Sequence, residues 1–500
     1  MRRVFLVGGA LTALLCGMLS LAAHVEDDGK KLADRYCQTC HVKPLPEHLD
    51  RSTWLTKVFP MMRQYIGLDQ NPSRELMPHD LQAMYPSVPT MTEDEWFAVA
   101  NWYIDNAPEE LPSTPMPKVT GPSTVFEATP VFCDDACMPM TILARFDALS
   151  RRFITADAMS GSMNVYSSAG KILTTIAIGG PVSSIAIRGS TWYVTDMGKL
   201  LPHDSAVGAV VAVQWKGDTY TVNRIIDSLR RPTHISVEDF NGDGSDDLLV
   251  CEFGNLLGRL GWFERRGKRW LYHELVAQPG AIRTEIRDVN GDGRKDIVVL
   301  MAQAREGIFV HINKGKGRFE SREIITFPPS YGSSSFSFAD VDRDGKDDLL
   351  VTAGDNGDYL MPPYKPYHGS YVFRLDKLGR VTDTTFRPFD GAYGAIVRDF
   401  DLDGLQDMLS YSYFPRLERG DFDLLRLETA AFTPAVTMWS LPMADRGRWL
   451  VSDAADVDGD GDIDVLLGNE SIGPGRITEE QSAGWRQGRM SALLLINKTR

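Results

Sequence analysis

Residues 239 to 247 read Asp239-Phe-Asn-Gly-Asp-Gly-Ser-Asp-Asp247, and the same nine-residue pattern occurs four more times further along the chain. The later copies begin at Asp288, Asp340, Asp399 and Asp456, with starts 49, 52, 59 and 57 residues apart. Self-similarity with a period of about 50 residues is typical of architectures in which each repeat is one supersecondary unit. The five copies therefore predict five similar structural units, each with one acidic loop.

The repeated pattern has the oxygen-bearing side chains of a cation site. Positions 1, 3, 5 and 9 carry Asp or Asn, and position 6 is always glycine. With a backbone carbonyl at position 7, this spacing suits a hard cation such as Ca²⁺. The alternative is a turn held by its own Asx hydrogen bonds without a metal. The predicted Ca²⁺ ligands are Asp239, Asn241, Asp243, Asp247, Asp288, Asn290, Asp292, Asp296, Asp340, Asp342, Asp344, Asp348, Asp399, Asp401, Asp403, Asp407, Asp456, Asp458, Asp460 and Asp464.

An EF-hand is excluded by position 12, where that motif needs a bidentate Glu. The five copies have Val250, Val299, Val351, Ser410 and Leu467 there. Apolar β-formers surround the loops where an EF-hand would need helices. Each loop is therefore predicted to join two β-strands.

These loops resemble FG-GAP/VCBS repeats, the calcium-loop blades of β-propellers that are also found in integrin α chains. The resemblance covers residues 141–500 and implies a mainly β propeller. Upstream of the first loop, residues 145–154 and 184–194 resemble two degenerate blades that have lost the loop. Two such blades and five with loops imply a closed ring of seven, which leaves only short protected strand edges.

A second motif, Cys37-Gln-Thr-Cys40-His41, lies near the N-terminus. It places two thiols one helical turn apart for covalent attachment to haem, and the histidine is the axial iron ligand. A redox Cys-x-x-Cys or half of a zinc site is the alternative. Neither a second Cys pair nor a βαβ pattern accompanies the motif, so it predicts covalently bound haem c.

The surrounding segment, assigned to a haem domain over residues 24–112, resembles class I c-type cytochromes over roughly residues 26–112, which implies a small all-α domain. Asp28-Gly29-Lys30 leads into a short helix before the motif, and Thr92 begins a capping-box pattern ahead of Trp96 and Tyr103. In this family the first and last helices cross beside the haem.

The sixth iron ligand is predicted to be a methionine thioether. The candidates are Met61, Met62, Met77, Met84 and Met91. Phe59-Pro60-Met61-Met62 resembles the Pro-x-Met segment of propeller-fused cytochromes, and Met62 is therefore the predicted ligand. Met84 and Met91, at the usual distance after the histidine, are the alternatives.

The N-terminus has the features of an export signal. Arg2 and Arg3 precede an apolar run that ends in small residues at Ala22 and Ala23. Residues 1–23 are predicted to be a signal peptide, which implies a periplasmic or otherwise exported protein without a stable membrane span after cleavage. The alternative is an uncleaved membrane anchor.

Six prolines between residues 106 and 130 predict a stiff linker, assigned to residues 113–140 ahead of the propeller at 141–500. Cys133 and Cys137 follow as a possible disulfide pair in an oxidising compartment, with two reduced thiols as the alternative. Cys251, in a run of Leu and Val, is predicted to be a buried core residue.

The formal net charge of −14 argues against nucleic acid as a partner. A redox partner protein or a small-molecule substrate is expected instead. Electron transfer is the first hypothesis for function, with a partner or ligand docked on the propeller. The alternatives are an exported oxidoreductase that binds substrate on the propeller and uses the haem as an electron relay, and a calcium-stabilised adhesion or scaffold module.

An insertion from Asp355 to His368 is the best candidate for a catalytic loop, because it is too Pro-rich for a strand. Its candidate catalytic residues are Lys365, Tyr367 and His368. The alternative is a self-packed surface loop. No nucleophile motif or histidine-ligand spacing supports the enzyme hypothesis further.

Overall fold

The computed structural model describes residues 28–115, 118–133, 137–359, 361–376, 379–419 and 424–500. The predicted signal peptide at residues 1–23 lies outside these residues. The chain divides into two compact units, one ending at Pro112 and the other running from Ser113 to Arg500.

Seven β-sheets form the second unit, and each supplies one four-stranded blade. Blades 1 to 3 are β3–β6 (Thr141–Asp147, Arg152–Asp157, Ser162–Ser167, Ile172–Ala177), β7–β10 (Val182–Arg188, Thr191–Asp196, Gly208–Lys216, Thr219–Leu229) and β11–β14 (Pro232–Glu238, Asp247–Glu252, Arg259–Arg266, Arg269–Val276). Blades 4 and 5 are β15–β18 (Ala281–Arg287, Asp296–Met301, Gly307–Asn313, Phe319–Thr326) and β19–β22 (Ser333–Ala339, Asp348–Ala353, Gly369–Leu375, Val381–Pro388). Blade 6 is β23–β26 (Ala392–Arg398, Asp407–Ser412, Leu425–Thr429, Thr437–Ser440), and blade 7 contains β27–β29 (Trp449–Ala455, Asp464–Asn469, Met490–Asn497). The first strands of successive blades contact each other around the ring, and β27 contacts β3, which confirms the predicted seven-bladed propeller.

The second strand of each loop-bearing blade begins at position 9 of its acidic loop and is buried along its whole length. These strands are apolar runs because both of their faces pack against neighbouring blades. One such core joins Leu249 and Trp262 of blade 3 to Ile297 and Val299 of blade 4. Each fully buried Val or Leu contributes roughly 1.5 to 3 kcal/mol, so the core between blades stabilises the ring.

The ring is closed by the segment that the sequence analysis assigned to the linker. Strand β2 (Phe126–Phe132) pairs antiparallel with β29 as the outer strand of blade 7, and β1 (Val119–Pro122) pairs parallel with β26 at the edge of blade 6. The prediction of a linker over 113–140 is therefore wrong for these strands. Blade 7 has only three strands of its own, and Pro130 is tolerated because β2 is an edge strand.

The antiparallel blades give the ring two different faces. The acidic loops, which join first and second strands, lie on one face, called here the loop face. Connections between second and third strands lie on the opposite face, called here the insertion face because it carries residues 355–368. On that face blade 7 also has a helix, α6 (Glu479–Gly488). Among the described residues of the second unit, 3-10 turns occur at Ala148–Ser150, Leu417–Arg419 and Ala444–Arg446.

The first unit is helical. Over its described residues, 28–112, the helices are α1 (28–36), α2 (Arg51–Thr53), a π-helical turn (Trp54–Val58), α3 (Phe59–Tyr65), α4 (His79–Gln82) and α5 (Glu93–Asn106), with 3-10 turns at Pro46–His48 and Arg74–Leu76. Thr92 and Glu95 form the predicted capping box at the start of α5. Across the part of the chain that the structure describes, no helix is both long and apolar enough to cross a membrane.

Helices α1 and α5 pack at Gly29. A Cβ at this position would lie 2.8 Å from the Trp102 Cβ and closer still to the carbonyl oxygen of Ala98. Only glycine therefore allows the two backbones to approach this closely. The side chains of Trp54, Phe59 and Trp96 fill the core around this contact.

Candidate functional site

The first acidic loop is curled around the carboxylate at its first position. Asp239 accepts backbone N–H groups from Gly242 at 2.8 Å, Asp243 at 3.1 Å and Gly244 at 2.8 Å. Asn241 Oδ1 accepts a further N–H from Asp243 at 2.8 Å. The Asx hydrogen bonds considered as the alternative are thus present, and they use the same side chains as the predicted cation site.

Three of the loops bring carboxylate oxygens together. In each of these loops, three acidic side chains have oxygen atoms within 4.8 Å of one another. The groups are Asp340, Asp342 and Asp344; Asp399, Asp401 and Asp407; and Asp456, Asp458 and Asp460. Oδ1 of Asp340 and Oδ1 of Asp399 are buried without a hydrogen-bond partner among the described residues. Clustered like charges and unpartnered acceptors are stabilised by a bound cation, so these donors fit Ca²⁺.

The loops need left-handed backbone at two positions. The glycine at position 6 has φ between 83° and 94° in all five copies, as the sequence predicted. Position 4 is also left-handed, and it is glycine in three copies. Arg343 and Leu402 occupy it in the other two, with φ of 62° and 57°. Non-glycine residues at such angles carry a strain of about 1 kcal/mol.

The aspartate at position 9 connects the loop to the blade. Asp464 accepts backbone N–H groups from Val457 at 2.8 Å and from Asn497, on the third strand, at 2.9 Å. Asp247 makes the equivalent pair of hydrogen bonds. Burial raises the pKa of Asp247 and Asp464 to about 6. The aspartate at position 9 therefore holds the loop to the third strand through hydrogen bonds. Among the carboxylate clusters of the described residues, Asp407 is the only position-9 aspartate that is grouped with other loop carboxylates.

The Cys-x-x-Cys-His motif lies at the C-terminal end of α1. Cys37 is half-buried, Cys40 is exposed, and neither is in a disulfide. His41 Nδ1 lies 3.0 Å from the carbonyl oxygen of Val42. Because a carbonyl only accepts, Nδ1 must carry the proton, and Nε2 is the nitrogen that remains for metal binding. This arrangement fits the axial role predicted for His41, since metal-binding histidines are usually oriented in this way.

The candidate methionines differ in their surroundings. Met61 and Met84 are 40% and 38% exposed. Met62 and Cys37 are half-buried and pack against the aromatic core of the helical unit, of which buried Met91 is a member. The packing therefore favours Met62 and Met91 over Met61 and Met84 as neighbours of a group attached at Cys37.

The structure pairs Cys133 with Cys137 in a disulfide, with a Cα–Cα distance of 6.0 Å, directly after β2. Cys251 is fully buried in β12, which confirms it as a core residue. The disulfide therefore lies next to the strand that closes the propeller.

Two of the three candidate catalytic side chains of the insertion are buried, and the third, Tyr367, is half-buried. Lys365 and His368 are each 2% exposed. The ring of Tyr367 stacks on Tyr331 at 4.6 Å. Burial lowers the pKa of His368 well below its ordinary value and raises that of Tyr367. Tyr367 and His368 thus anchor the insertion, which favours the self-packed alternative for these two residues.

Lys365 lies in a polar environment that the sequence did not predict. Its Nζ donates to the Ser330 carbonyl oxygen at 2.8 Å, and burial lowers its pKa to about 8. Glu306 of blade 4 interacts with it electrostatically, accepts the N–H and O–H of Ser333 at 2.7 and 2.6 Å, and has a pKa raised by burial to about 7. No local motif marks Glu306, because it lies in an ordinary strand connection.

Comparison with known proteins supports the repeat type. A family model described as FG-GAP-like repeat matches residues 288–351, which include the second and third acidic loops. Similar solved structures include a protein from Lactobacillus plantarum (13% identity, 66% of this chain and 89% of that chain, TM-score 0.40), Saccharomyces cerevisiae Sqt1 (12%, 71% and 84%, 0.41) and BBS1N, crystallised in complex with ARL6DN (9%, 74% and 96%, 0.43). The chain therefore carries FG-GAP repeats within a seven-bladed β-propeller.

Proposed function

We propose that this protein is an exported c-type cytochrome for electron transfer, fused to a calcium-binding β-propeller that binds a ligand or partner. The observation that carries the proposal is the placement of Cys37, Cys40 and His41 at the end of α1, with His41 Nδ1 donating to a backbone carbonyl. A scaffold without redox function does not require two cysteines and a histidine in this arrangement.

Cys37 and Cys40 would hold haem through thioether bonds, with His41 and Met62 as the axial ligands and Met91 as the alternative to Met62. The bound group supplies one-electron redox chemistry. The protein orients the ligands. Tyr103 donates its hydroxyl to the Pro44 carbonyl oxygen at 2.7 Å, which holds the segment after His41 against α5.

Apolar surroundings are the second contribution of the helical unit. Trp54, Phe59, Trp96 and Val99 are buried together beside the half-buried Cys37. Burial excludes water from the redox centre. Without mobile water and with fixed ligands, the reorganisation energy of oxidation and reduction is lower. The composition of this core is therefore suited to electron transfer without ligand release.

The five acidic loops are proposed to bind Ca²⁺, which would stabilise the propeller. In the clusters of Asp340 and Asp399, a buried carboxylate oxygen has no partner among the described residues. An ion that binds only the folded state stabilises it by about 3 kcal/mol per site at one hundred times the dissociation constant. The loop face then serves stability, and the insertion face is left for binding.

An exported oxidoreductase is the second candidate. The buried pair of Lys365, from the insertion, and Glu306, from blade 4, favours it, because buried ionisable groups with shifted pKa values are typical of active sites. In that case the insertion face would bind the electron-donating substrate.

Haem content tests the principal proposal. Full-length protein produced in a host that attaches haem c should keep its haem after denaturation and extraction with acidified organic solvent. The double variant Cys37→Ala with Cys40→Ala should lose the haem. Cys251→Ala, the control, removes a thiol outside the motif and should keep the haem. Met62→Ala should then abolish the thioether-to-iron absorption band. Wild-type protein from which all haem is extracted would refute the cytochrome proposal.

Calorimetry tests the calcium proposal. Chelation should lower the melting temperature of the propeller, and Ca²⁺ should restore it. Asp399→Asn should weaken the response to Ca²⁺, whereas Asp218→Asn, an exposed residue of the β9–β10 turn, should not. Equal melting temperatures with Ca²⁺ and with chelator would leave the loops as turns held by Asx hydrogen bonds.

A further inference from the structure

The insertion is held against the insertion face by contacts with blades 6 and 7. The guanidinium of Arg416, from blade 6, lies 3.9 Å from the centre of the Tyr364 ring, and that of Arg476, from blade 7, lies 5.0 Å from it. Arg476 Nε also donates to the Pro362 carbonyl oxygen at 2.8 Å. The insertion of blade 5 is thereby tied to the next two blades, so it covers the ring instead of projecting from it.

Three polar side chains on the insertion face interact electrostatically with one another. Arg231 directly precedes β11, the first strand of blade 3, and Tyr393 is the second residue of β23, the first strand of blade 6. Asp355 is brought next to Tyr393 because Gly354 packs so closely on Ala392 that a Cβ would overlap its backbone. We call Arg231, Asp355 and Tyr393 the channel-mouth group.

Hydrogen-bonding capacity is left over in this group. Arg231 Nε donates to the Leu200 carbonyl oxygen at 2.9 Å, and Asp355 Oδ1 accepts from Gly357 N at 2.8 Å. The two terminal nitrogens of Arg231, Oδ2 of Asp355 and the hydroxyl of Tyr393 have no hydrogen-bond partner among the described residues. None of these atoms is fully buried, and all three side chains are half-buried. They are therefore open to water or to a ligand.

The surrounding protein nevertheless desolvates the channel-mouth group. Burial lowers the pKa of Arg231 and raises the pKa values of Asp355 and Tyr393. Asp355 and Tyr393 also act electrostatically on Arg231. The contacts of these residues connect them on the insertion face: Leu200, whose carbonyl oxygen accepts from Arg231, packs in one hydrophobic cluster with Ile472. The Ile472 carbonyl oxygen accepts the Tyr413 hydroxyl at 2.9 Å, and the Tyr413 ring lies 5.5 Å from the Tyr393 ring. Arg231 is a non-glycine residue with φ of 47°, and strained backbone of this kind persists where the structure holds a side chain in a required place.

The chemistry of the group defines the ligand. A guanidinium only donates, a carboxylate only accepts, and a phenol does both. A lone anion would be repelled by Asp355, and a lone cation by Arg231. Adjacent hydroxyls match both, since each accepts from the guanidinium and donates to the carboxylate. We propose that the channel mouth binds a small neutral polyhydroxylated ligand, a monosaccharide or the terminal unit of a saccharide, through Arg231, Asp355 and Tyr393.

This inference rests on the proposed ligand-binding role of the propeller, and it is tested by titration calorimetry on full-length, calcium-loaded protein. The probes are neutral monosaccharides, with acetate and succinate as anionic comparators. Asp355→Asn keeps the shape of the side chain, and Asp218→Asn, on the other face, is the matched control. Asp355→Asn should weaken saccharide binding at least about tenfold, because a hydrogen bond to a charged group is lost. Tyr393→Phe should weaken it less, and Asp218→Asn should bind as wild type does.

Melting temperatures equal to that of the wild type establish that the variants are folded. Binding of the anions alone, lost in Arg231→Gln and retained in Asp355→Asn, would overturn the saccharide assignment. Absence of saccharide binding to the wild type, or equal binding by all variants, would overturn the site itself. The outcome is separable from that of the cytochrome proposal: protein that holds haem and binds no saccharide refutes only this site, and haem-free protein that binds saccharide refutes only electron transfer.

Discussion

Replacement of Gly29 by alanine tests whether the contact between α1 and α5 holds the helical unit together. The added Cβ would lie 2.8 Å from the Trp102 Cβ, whereas carbon atoms pack at about 3.5 to 4.0 Å. The two helices must therefore separate by roughly 1 Å at their closest point. Overpacking of this kind costs about 1 to 3 kcal/mol. Because the Cβ would lie closer still to the Ala98 carbonyl oxygen, the cost lies in the upper part of this range, at about 2 to 3 kcal/mol. The better helix propensity of alanine offsets about 1 kcal/mol, so the net loss is about 1 to 2 kcal/mol.

A loss of this size is large for the helical unit, because a domain of about 85 residues has an unfolding free energy of roughly 4 to 13 kcal/mol. Hydrogen exchange with mass spectrometry measures the two units separately in the full chain. Gly29→Ala should speed exchange in peptides from residues 28–106 by about fivefold to thirtyfold, since about 1.4 kcal/mol corresponds to a factor of ten. Peptides from residues 119–500 should exchange as in the wild type.

The matched control is Gly484→Ala in α6, where a Cβ meets no atom within 4 Å. The same chemical change should there slow local exchange, because only the helix-propensity gain of up to about 1 kcal/mol applies. If Gly29→Ala also slows exchange, or leaves it unchanged, the close approach of the two helices is not what stabilises the unit.

Three further predictions concern the propeller. Burial lowers the pKa of His311 to about 4, so the unfolded chain binds more protons than the folded chain below the ordinary pKa of 6.5. The free energy of unfolding should therefore fall by up to about 3 kcal/mol as the pH drops from 6.5 to 4. Denaturant titrations should show a smaller loss for His311→Gln. Leu402→Gly should raise stability by about 0.5 to 1 kcal/mol in calorimetry because it relieves a φ of 57°, whereas Gly404→Ala, at 92°, should lower it. Cys133→Ser should lower stability by about 2 kcal/mol by releasing a short disulfide loop, and reductant should have the same effect on the wild type and no further effect on the variant.

The fold could be predicted because its determinants are local and repeated. Each acidic loop specifies a turn, and the apolar run after position 9 specifies the buried second strand, as at Asp247 and Asp296. The closure of the ring could not be predicted in this way. Strand β2 pairs with β29, whose residues are more than 350 positions away, and Pro130 hides its strand character. A pairing partner at such a distance leaves no periodic signal in the segment itself.

The same distinction applies to the candidate sites. Cys37, Cys40 and His41 lie within five consecutive residues, so their spacing alone marks them as a candidate haem-attachment site. Arg231 and Tyr393 are separated by more than 150 residues, and only the ring brings them together. Burial is equally hidden from sequence: His368 is a residue type that often acts in catalysis, but its side chain is buried in the packing of the insertion.

The proposed cation loops and the proposed ligand site lie on opposite faces of the ring. On the loop face, loop carboxylates accept backbone N–H groups, as Asp239 and Asp464 do, so little capacity remains there for an organic ligand. On the insertion face, the connections differ from blade to blade, and Arg231 and Asp355 retain unused hydrogen-bonding atoms. Because sites that share no partners contribute independently, Asp399→Asn should change stability without changing ligand affinity, and Asp355→Asn should do the reverse. A propeller of this kind can therefore alter its ligand without altering the repeats that hold it together.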